Sequence, residues 1–348
     1  MELSKLIEHV YYNSKLTAEE YGEVAKPIYN NIRVLLEHYC NKIEYSSNIK
    51  LHGSYALNTI MNSPSGDIDL DIGLTFDKLS NVSPMTIKEN LYNYLINELP
   101  HLEHDIDIGK CAITISLQDI HIDIVIYKKV FGNQYVAWKD DWKQDEKDKQ
   151  YEKLKDTISG NHKVKQLICF IKFIYKNAKF QKNCILPSIA ITELVVQDYC
   201  VKFKEFKKSN PRYKRPETIH KKFIEKEYSN IEEKLLSLLT DTCINLNNKF
   251  EIVNSGCKEN LIHNKKRQLH KKNTIDTIKQ IRDELLNYST NLLFCYSSTA
   301  LRNVFFSENK WLLLPKEVYD EMSEYDKSEL NNYFNTQVVI YKPHLQFV

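Results

Sequence analysis

Two hydrophobic periods alternate along the chain. Within residues 3–47 apolar residues recur at every third or fourth position, with a break at "SKLTAEEYGEV", and this is the spacing of amphipathic helices. From residue 50 to 127 they occupy every second position instead, in "DIDLDIGL", "CAITISL" and "IHIDIVIY", and this alternation predicts strands. The helical period returns from about residue 160. The pattern therefore predicts an α+β protein in which a long N-terminal helix precedes a mixed sheet and a helical half follows it.

Further helices are predicted within and after the sheet region. One, at residues 83–99, interrupts the strands, and four more follow: "HKVKQLICFIKFIYKNA", "SIAITELVVQDYC", "IEEKLLSLLTDTCINL" and "TIDTIKQIRDELLNYSTNLLF". The final "TQVVIYKPHLQF" fits either a terminal strand or an extended tail. Because the hydrophilic stretch 139–156 separates the two patterns, we expect one domain at 1–158 and a helical domain at 159–348.

Composition changes this picture little. The 348 residues suffice for two domains, and a net charge of +2 does not argue for a nucleic-acid or membrane partner. The start lacks the apolar core of a signal peptide, and no run approaches about 20 apolar residues. We therefore expect a cytoplasmic protein with no membrane contact. The eight cysteines lack a CxxC pair and predict buried thiols. The disfavoured alternative, whose spacing matches no standard pattern, is a zinc site formed by Cys243, Cys257, His263 and His270.

Candidate chemistry begins at the first predicted strand. Asp67, Asp69 and Asp71 stand at alternate positions and therefore share one face of it. Carboxylates so close repel one another unless a cation lies among them, and hard oxygen ligands favour Mg²⁺ or Mn²⁺ over zinc. A solvated outer face is the commoner reason for a lone Asp-x-Asp pattern. The assignment of a site therefore depends on the segments around these residues.

Two neighbouring segments favour a site. Upstream, Gly53 permits a tight turn and Ser54 adds a hydroxyl, a combination that can cradle phosphate oxygens. Downstream, "QDIHIDIVIYKK" places Asp123 within an apolar strand, where an unpartnered carboxylate is costly. If that strand lies beside the first, Asp123 completes a three-carboxylate cluster, with His121 a neighbour rather than a ligand. Three carboxylates, two hard cations and a phosphate-binding turn are the components of two-metal nucleotidyl transfer.

These segments carry a family resemblance. The run "GSYALNT…GDIDLDIG…HIDIVIY" resembles the nucleotidyltransferase superfamily pattern. Within it, the run is similar to the cGAS/DncV-like nucleotidyltransferases, bacterial relatives of cyclic GMP–AMP synthase and oligoadenylate synthase. The resemblance implies a polymerase-beta-like core whose nucleotide cleft is closed by the helical domain. It also implies two Mg²⁺ or Mn²⁺ ions, both held by Asp69 and Asp71 and one also by Asp123.

The register of the metal-binding pair has two solutions. Asp67 with Asp69 also fits the superfamily pattern, whereas Gly73, two places after Asp71, favours Asp69 with Asp71. Asp69 belongs to both solutions. His52 stands where the family often has glutamine, a departure that does not touch the chemistry.

The resemblance continues more weakly into the helical half. Lys172 stands where the family has a phosphate-contacting lysine, and Ser188 where a helix start contacts the triphosphate or base. From the residues alone, Lys172 within an apolar helix either extends to solvent or meets an anion. The "PS" before an apolar run predicts a helix start whose N–H groups suit phosphate. An exposed lysine and an ordinary helix cap are the alternatives, and Tyr55 fits base stacking or core packing equally.

The functional expectation follows from the resemblance. It implies an enzyme that condenses nucleoside triphosphates into a cyclic di- or trinucleotide second messenger, releases pyrophosphate and acts in anti-phage signalling. Transfer of a single nucleotide to a protein, RNA or small molecule is one alternative, and non-enzymatic nucleotide binding is another. We expect a monomer that a partner protein or ligand regulates. The basic segments 201–222 and 263–282 fit a nucleic-acid activator or a nucleotide entry path, although a solvated surface is the commoner explanation.

Overall fold

The computed structural model describes residues 18–60, 68–77, 82–117, 120–145, 147–177 and 186–248, together with a few positions between these ranges and on either side of them. These residues divide into two compact units, the first within Leu16–Ser159 and the second mostly within Gly160–Asn254. The described positions before residue 16 group with the second unit. The assignment of domains to 1–158 and 159–348 stays a prediction.

The first unit is built on a mixed sheet. Its described strands are β1 (Ser47–Leu51), β2 (Ile68–Asp77), β3 (Ile106–Ile108), β4 (Ala112–Leu117), β5 (Ile120–Val130), β6 (Asn133–Trp138) and β7 (Asp141–Gln144). The order across the sheet is β1-β2-β5-β4-β3, with β6 paired to β5 and β7 paired to β6. β2 and β5 are parallel, and the other pairings of these strands are antiparallel. The α+β fold class with a mixed sheet is therefore confirmed.

Two helices of the first unit cover one face of this sheet. The helices described in this unit are α1 (Ala18–Lys42), α2 (Gly53–Ala56), α3 (Pro84–Glu98) and α4 (Lys147–Ile158). α3 begins where the Ser83 hydroxyl accepts a hydrogen bond from the Thr86 N–H at 3.0 Å. Residues of α1 and α3 share one buried cluster with alternate residues of β2 and β5, including Leu36, Leu91, Leu70, Ile72, Ile122 and Ile124. The main apolar core of this unit therefore occupies one face of the sheet.

The second unit is helical, as the sequence predicts. Its described helices include α5 (His162–Asn177), α6 (Ser188–Ser209), α7 (Pro216–Glu227) and α8 (Ile231–Asn248). The ring of Phe223 on α7 meets that of Tyr199 on α6 at 5.2 Å. Lys234 on α8 pairs with Asp198 on α6 at 2.6 Å, with both side chains largely buried. Because losing one partner would leave a buried charge unpaired, this ion pair fixes how α6 and α8 meet.

Most of the predicted elements lie where the periodicity places them. Helices α3, α5, α6 and α8 and strands β2, β4 and β5 coincide with predicted segments, and α1 forms the predicted long helix near the N-terminus. β1, β3, β6, β7, α2, α4 and α7 are not predicted. The final segment, residues 336–347, and residues 284–294 of the last predicted helix lie outside the described residues.

The basic segment 201–222 spans the end of α6 and the start of α7. Its Phe203 and Phe206 contact the ring of Phe223 at 5.1 and 5.5 Å. These aromatic side chains therefore pack inside the second unit, while Lys207 and Lys208 are exposed. This arrangement favours the solvated-surface explanation for the segment. Most of the second basic segment, 263–282, lies outside the described residues.

Two smaller predictions concern membranes and thiols. None of the helices in the described ranges is long and apolar enough to cross a bilayer. Of the cysteines in the described ranges, Cys40, Cys169 and Cys243 are buried, and Cys111 and Cys200 are half-buried. For the alternative zinc site, Cys243 is described, but positions 257, 263 and 270 lie outside the described residues.

Candidate active site

The parallel pairing of β2 with β5 places two aspartates side by side. Asp71 is the direct partner of Asp123, and Asp69, two residues earlier, is the partner of His121. Neighbouring strands lie about 4.8 Å apart, so the Asp71 and Asp123 side chains project from adjacent backbone positions on one face. Asp69 is exposed, and the other two aspartates are half-buried. The two acidic strands are therefore neighbours, as the sequence suggested.

The register of these strands is fixed by what lies on the opposite face. The residues that alternate with the aspartates are at most 4% exposed: Leu70, Ile72, Ile120, Ile122 and Ile124. A slip of one residue would turn these side chains to the site and the carboxylates into the core. Burial of the aliphatic face therefore holds all three aspartates on the other side.

The Gly53–Ser54 turn lies directly against Asp71. Gly53 has a φ of +65°, and a Cβ at this position would overlap Oδ2 of Asp71. The N–H of His52 donates to the Asp71 carbonyl oxygen at 2.8 Å, which ties the start of the turn to β2. Gly53 and Ser54 open α2, whose first N–H groups have no acceptor within the helix. Such N–H groups suit an anion, so the predicted phosphate-binding turn borders a predicted metal ligand.

His52 supports this turn from the same face of the sheet. Its side chain is 8% exposed and lies over Gly73, where a Cβ would overlap its Nε2. The ring stacks on Tyr127 at 5.8 Å and meets Tyr151 at 6.0 Å. The Tyr151 hydroxyl donates to the carbonyl of Ala56 at the end of α2, at 2.9 Å. Sequence reasoning missed this role, although Gly73 within an aliphatic strand signals that another group approaches closely.

Thr114 is a second residue that sequence reasoning missed. It is the direct partner of Asp123 across the antiparallel pair of β4 and β5. Its Oγ1 donates a hydrogen bond to Oδ1 of Asp123 at 2.6 Å. The alternation in "CAITISL" separates Thr114 from the buried Ile113 and Ile115. That the Thr114 hydroxyl contacts Asp123 follows only from the register of β4 on β5.

The remaining predicted residues are placed as follows. Lys172 lies on α5 and is 7% exposed, which excludes the exposed-lysine alternative. Ser188 is the first residue of α6, after the N-cap residue Pro187. Both belong to the second unit, and their contact with a nucleotide stays a prediction. Tyr55 packs against the main core, where burial raises its pKa.

One aspartate named in the sequence analysis, Asp67, the alternative member of the metal pair, lies outside the described residues. The metal-binding pair is therefore still either Asp67 with Asp69 or Asp69 with Asp71, and Asp69 belongs to both.

The donors at this site fit a hard divalent cation. Asp69, Asp71 and Asp123 supply only carboxylate oxygens, which Mg²⁺ and Mn²⁺ prefer. Within the described part of the chain, no group of three acidic, histidine or cysteine side chains is already arranged to hold an ion. The three aspartates therefore suit a divalent cation by the type of their donor atoms and by their positions on paired strands.

Comparison with solved structures identifies the fold. No family model and no curated protein matches the sequence. Among solved structures, the Bradyrhizobium diazoefficiens CD-NTase CdnG in complex with GTP superposes with a TM-score of 0.63 at 13% identity, over 87% of this chain and 96% of that one. The chain has the CD-NTase fold. CD-NTases are the cGAS/DncV-like nucleotidyltransferases that the sequence motifs resemble.

Two further CD-NTase structures extend the likeness. E. coli MS115-1 CdnC with ATP gives a TM-score of 0.64 at 12% identity, over 88% of this chain and 98% of that one. The Vibrio cholerae cyclic AMP-GMP synthase DncV, in complex with the linear intermediate pppA(3′,5′)pG, gives 0.53 at 13% identity, over 82% and 76%. At these identities the likeness is one of fold.

Proposed function

We propose that this chain is a metal-dependent nucleotidyltransferase that condenses nucleoside triphosphates into a cyclic di- or trinucleotide and releases pyrophosphate. The observation that carries the proposal is the direct pairing of Asp71 with Asp123, beside a turn in which Gly53 admits the Asp71 carboxylate. The CD-NTase fold supports it, because solved proteins of that fold contain GTP, ATP or a linear dinucleotide intermediate.

In this proposal the three aspartates hold the metal and the turn holds the triphosphate. Asp69, Asp71 and Asp123 are the residues that would bind divalent cations. When bound, such cations lower the pKa of the attacking hydroxyl and neutralise charge on the triphosphate. The N–H groups of Gly53 and Ser54 bind phosphate oxygens, as the start of a helix does elsewhere. The family resemblance adds Lys172 and Ser188 as further candidates for phosphate contact.

The chemistry is a substitution at the α-phosphorus of one nucleotide. A ribose hydroxyl of the second nucleotide lies beside Asp123 and loses its proton to bulk water. Its oxygen forms a bond to the α-phosphorus while the bond from that phosphorus to the bridging oxygen breaks, and pyrophosphate leaves. Another such step within the linear product closes the ring. The chain contributes by positioning the groups and by stabilising charge.

The biological context of this activity is also part of the proposal. The family resemblance supports anti-phage signalling as its role. Regulation by a partner protein is supported by E. coli CdnC, which has been solved in a complex with a HORMA protein.

The test is a product assay with purified protein. We would incubate it with ATP, GTP, CTP and UTP plus Mg²⁺ or Mn²⁺ and analyse the products by mass spectrometry. Asp69→Ala and Asp71→Ala are each expected to abolish the product. The melting temperature of each variant should equal that of the unmodified protein. Asp107→Ala is a matched control, because Asp107 is an exposed carboxylate on β3 of the same sheet. It should leave the product unchanged.

Three outcomes would revise the proposal. A product that persists in both aspartate variants would show that the site is wrongly assigned. A nucleotide attached to a protein, RNA or small molecule would identify the single-transfer alternative. Binding of nucleotide without metal and without turnover would identify a non-enzymatic protein.

A further inference from the structure

Asp123 is held by a hydroxyl from the neighbouring strand. Thr114 on β4 is its direct cross-strand partner, and the Thr114 Oγ1 lies 2.6 Å from Oδ1 of Asp123. Directly opposed residues of an antiparallel pair have Cβ atoms about 5 Å apart, which brings a threonine hydroxyl within reach of a carboxylate. The contact therefore follows from the register of β4 on β5.

The 2.6 Å distance is that of a short hydrogen bond from a hydroxyl to a carboxylate oxygen. Bonds between a hydroxyl and a carboxylate oxygen are short, at about 2.5–2.7 Å, and stronger than bonds between neutral groups. A carboxylate oxygen held in this way restricts rotation of the Asp123 side chain. The hydrogen bond from Thr114 uses Oδ1 of Asp123 and does not involve Oδ2.

The hydroxyl is not required by the strand itself. Threonine and valine have the same β-branched shape and similar strand propensity, so valine would serve β4 equally. The adjacent Ile113 and Ile115 are fully buried on the opposite face and already anchor the strand. What valine at position 114 would lack is the donor to Asp123.

We propose that Thr114 is a positioning residue that orients Asp123 for binding the divalent cation. This inference rests on the proposed function, in which Asp123 is a metal ligand. Residues that hydrogen-bond to a metal ligand fix its orientation, and their removal typically lowers metal affinity or activity about 10–100-fold. Thr114 is not itself a ligand in this proposal, because its hydroxyl donates to Oδ1.

The experiment compares metal binding and turnover in matched variants of the full chain. Thr114→Val removes the donor and keeps the shape, whereas Thr114→Ser keeps the donor. Ser116→Ala is the control, because Ser116 is on the same face of β4 but opposite His121. Free Mn²⁺ would be measured by electron paramagnetic resonance during titration, with a non-hydrolysable ATP analogue present. The same proteins would then be assayed for nucleotide product.

We expect Thr114→Val to bind Mn²⁺ about 10–100-fold more weakly than the unmodified chain. Thr114→Ser and Ser116→Ala should bind it normally. Melting temperatures identify any variant that is not folded, and Thr114→Ala then serves as the second donor deletion. Unchanged Mn²⁺ affinity in a folded variant without the donor overturns the inference. An unmodified chain that binds no Mn²⁺ overturns it as well.

The two readouts separate this inference from the proposed function. Normal turnover and Mn²⁺ affinity in Thr114→Val would remove the role of Thr114 and leave the enzyme in place. Weaker Mn²⁺ binding in Thr114→Val, with no nucleotide product from any variant, would support the positioning role and contradict a synthase that is active without its partner.

Discussion

The two ends of one sheet face differ sharply, although the same two strands build both. At one end, Asp71 of β2 lies beside Asp123 of β5, and both remain half-buried. Two residues further along, Gly73 lies beside Val125, and the ring of His52 covers the glycine. The carboxylate end stays partly exposed and is the open end, whereas side chains of the protein close the covered end.

The covered end has its own small apolar cluster. It consists of side chains no more than 7% exposed: Ala112, Val125, Tyr127 and Val136. Burial of such side chains stabilises the fold, whereas adjacent carboxylates without a cation repel one another. The buried cluster at the covered end therefore stabilises this face of the sheet. That stabilisation offsets the repulsion between the carboxylates at the other end. Each variant below should therefore affect mainly stability or mainly activity, according to the end it alters.

The strongest test exchanges one residue at each end. Asp71→Asn keeps the shape and removes a charge, so we expect activity to fall more than about 100-fold with little change in melting temperature. Tyr127→Ala removes a buried aromatic side chain, which is 1% exposed, and should cost about 3–5 kcal/mol of unfolding free energy. Thermal melting and product formation would be measured on both variants. Equal loss of stability in the two would mean that the ends do not differ as described.

A smaller effect is expected where the turn meets the carboxylate. Gly53→Ala places a side chain at a φ of +65° and against Asp71 Oδ2. The left-handed backbone alone costs about 1–2 kcal/mol for a non-glycine residue. Displacement of the Asp71 carboxylate should in addition lower kcat about 100-fold, as misplacement by about 1 Å does in other enzymes. Steady-state kinetics and thermal melting measure the two effects separately.

Gly132 provides the matched control for that substitution. It has a φ of +78°, in the turn between β5 and β6, and a Cβ there would meet no atom within 4 Å. Gly132→Ala should therefore show the same backbone cost and normal kcat. A similar loss of activity in both variants would indicate that backbone strain, rather than contact with Asp71, is responsible.

The open end was far more predictable from sequence than the covered end. Alternation in "DIDLDIGL" and "IHIDIVIY" sets which side chains share a face, and burial of isoleucine and leucine decides which face is the core. Asp69, Asp71 and Asp123 follow from this local rule. The pairing of Asp71 with Asp123, and of Thr114 with Asp123, depends on strand register between segments distant in sequence, which alternation does not specify.

The covered end depends on contacts between distant segments. His52 lies under the turn because Gly73 of β2 admits its ring and because Tyr151 of α4 lies beside it. No local period indicates such a contact. The edge strands β1 and β7 escaped prediction because they are short and contain few apolar residues. β6 escaped because its apolar residues, Tyr135–Trp138, are consecutive rather than alternating. Helix α7 escaped because its lysines suggest a solvated loop, although Ile219 and Phe223 are four residues apart and both buried.

The smallest effect is expected at the hydrogen bond that secures the turn to α4. Tyr151→Phe removes the 2.9 Å bond from its hydroxyl to the carbonyl of Ala56 and keeps the ring beside His52. Burial raises the pKa of Tyr151, so its phenol is a protonated donor at neutral pH. Loss of one such bond costs about 0.5–1.5 kcal/mol, and we expect the melting temperature to fall by a few degrees.

The kinetic effect of Tyr151→Phe should appear in KM rather than in kcat. A looser turn binds the triphosphate less well but leaves the aspartates in place, so we expect KM for the nucleotide to rise less than about 10-fold. Tyr92→Phe, at a half-buried position of α3 in the same unit, controls for loss of a phenol hydroxyl elsewhere. If Tyr151→Phe instead reduced kcat as strongly as Asp71→Asn, the covered end would take part in the chemistry, and the two ends of the sheet face would not differ in role.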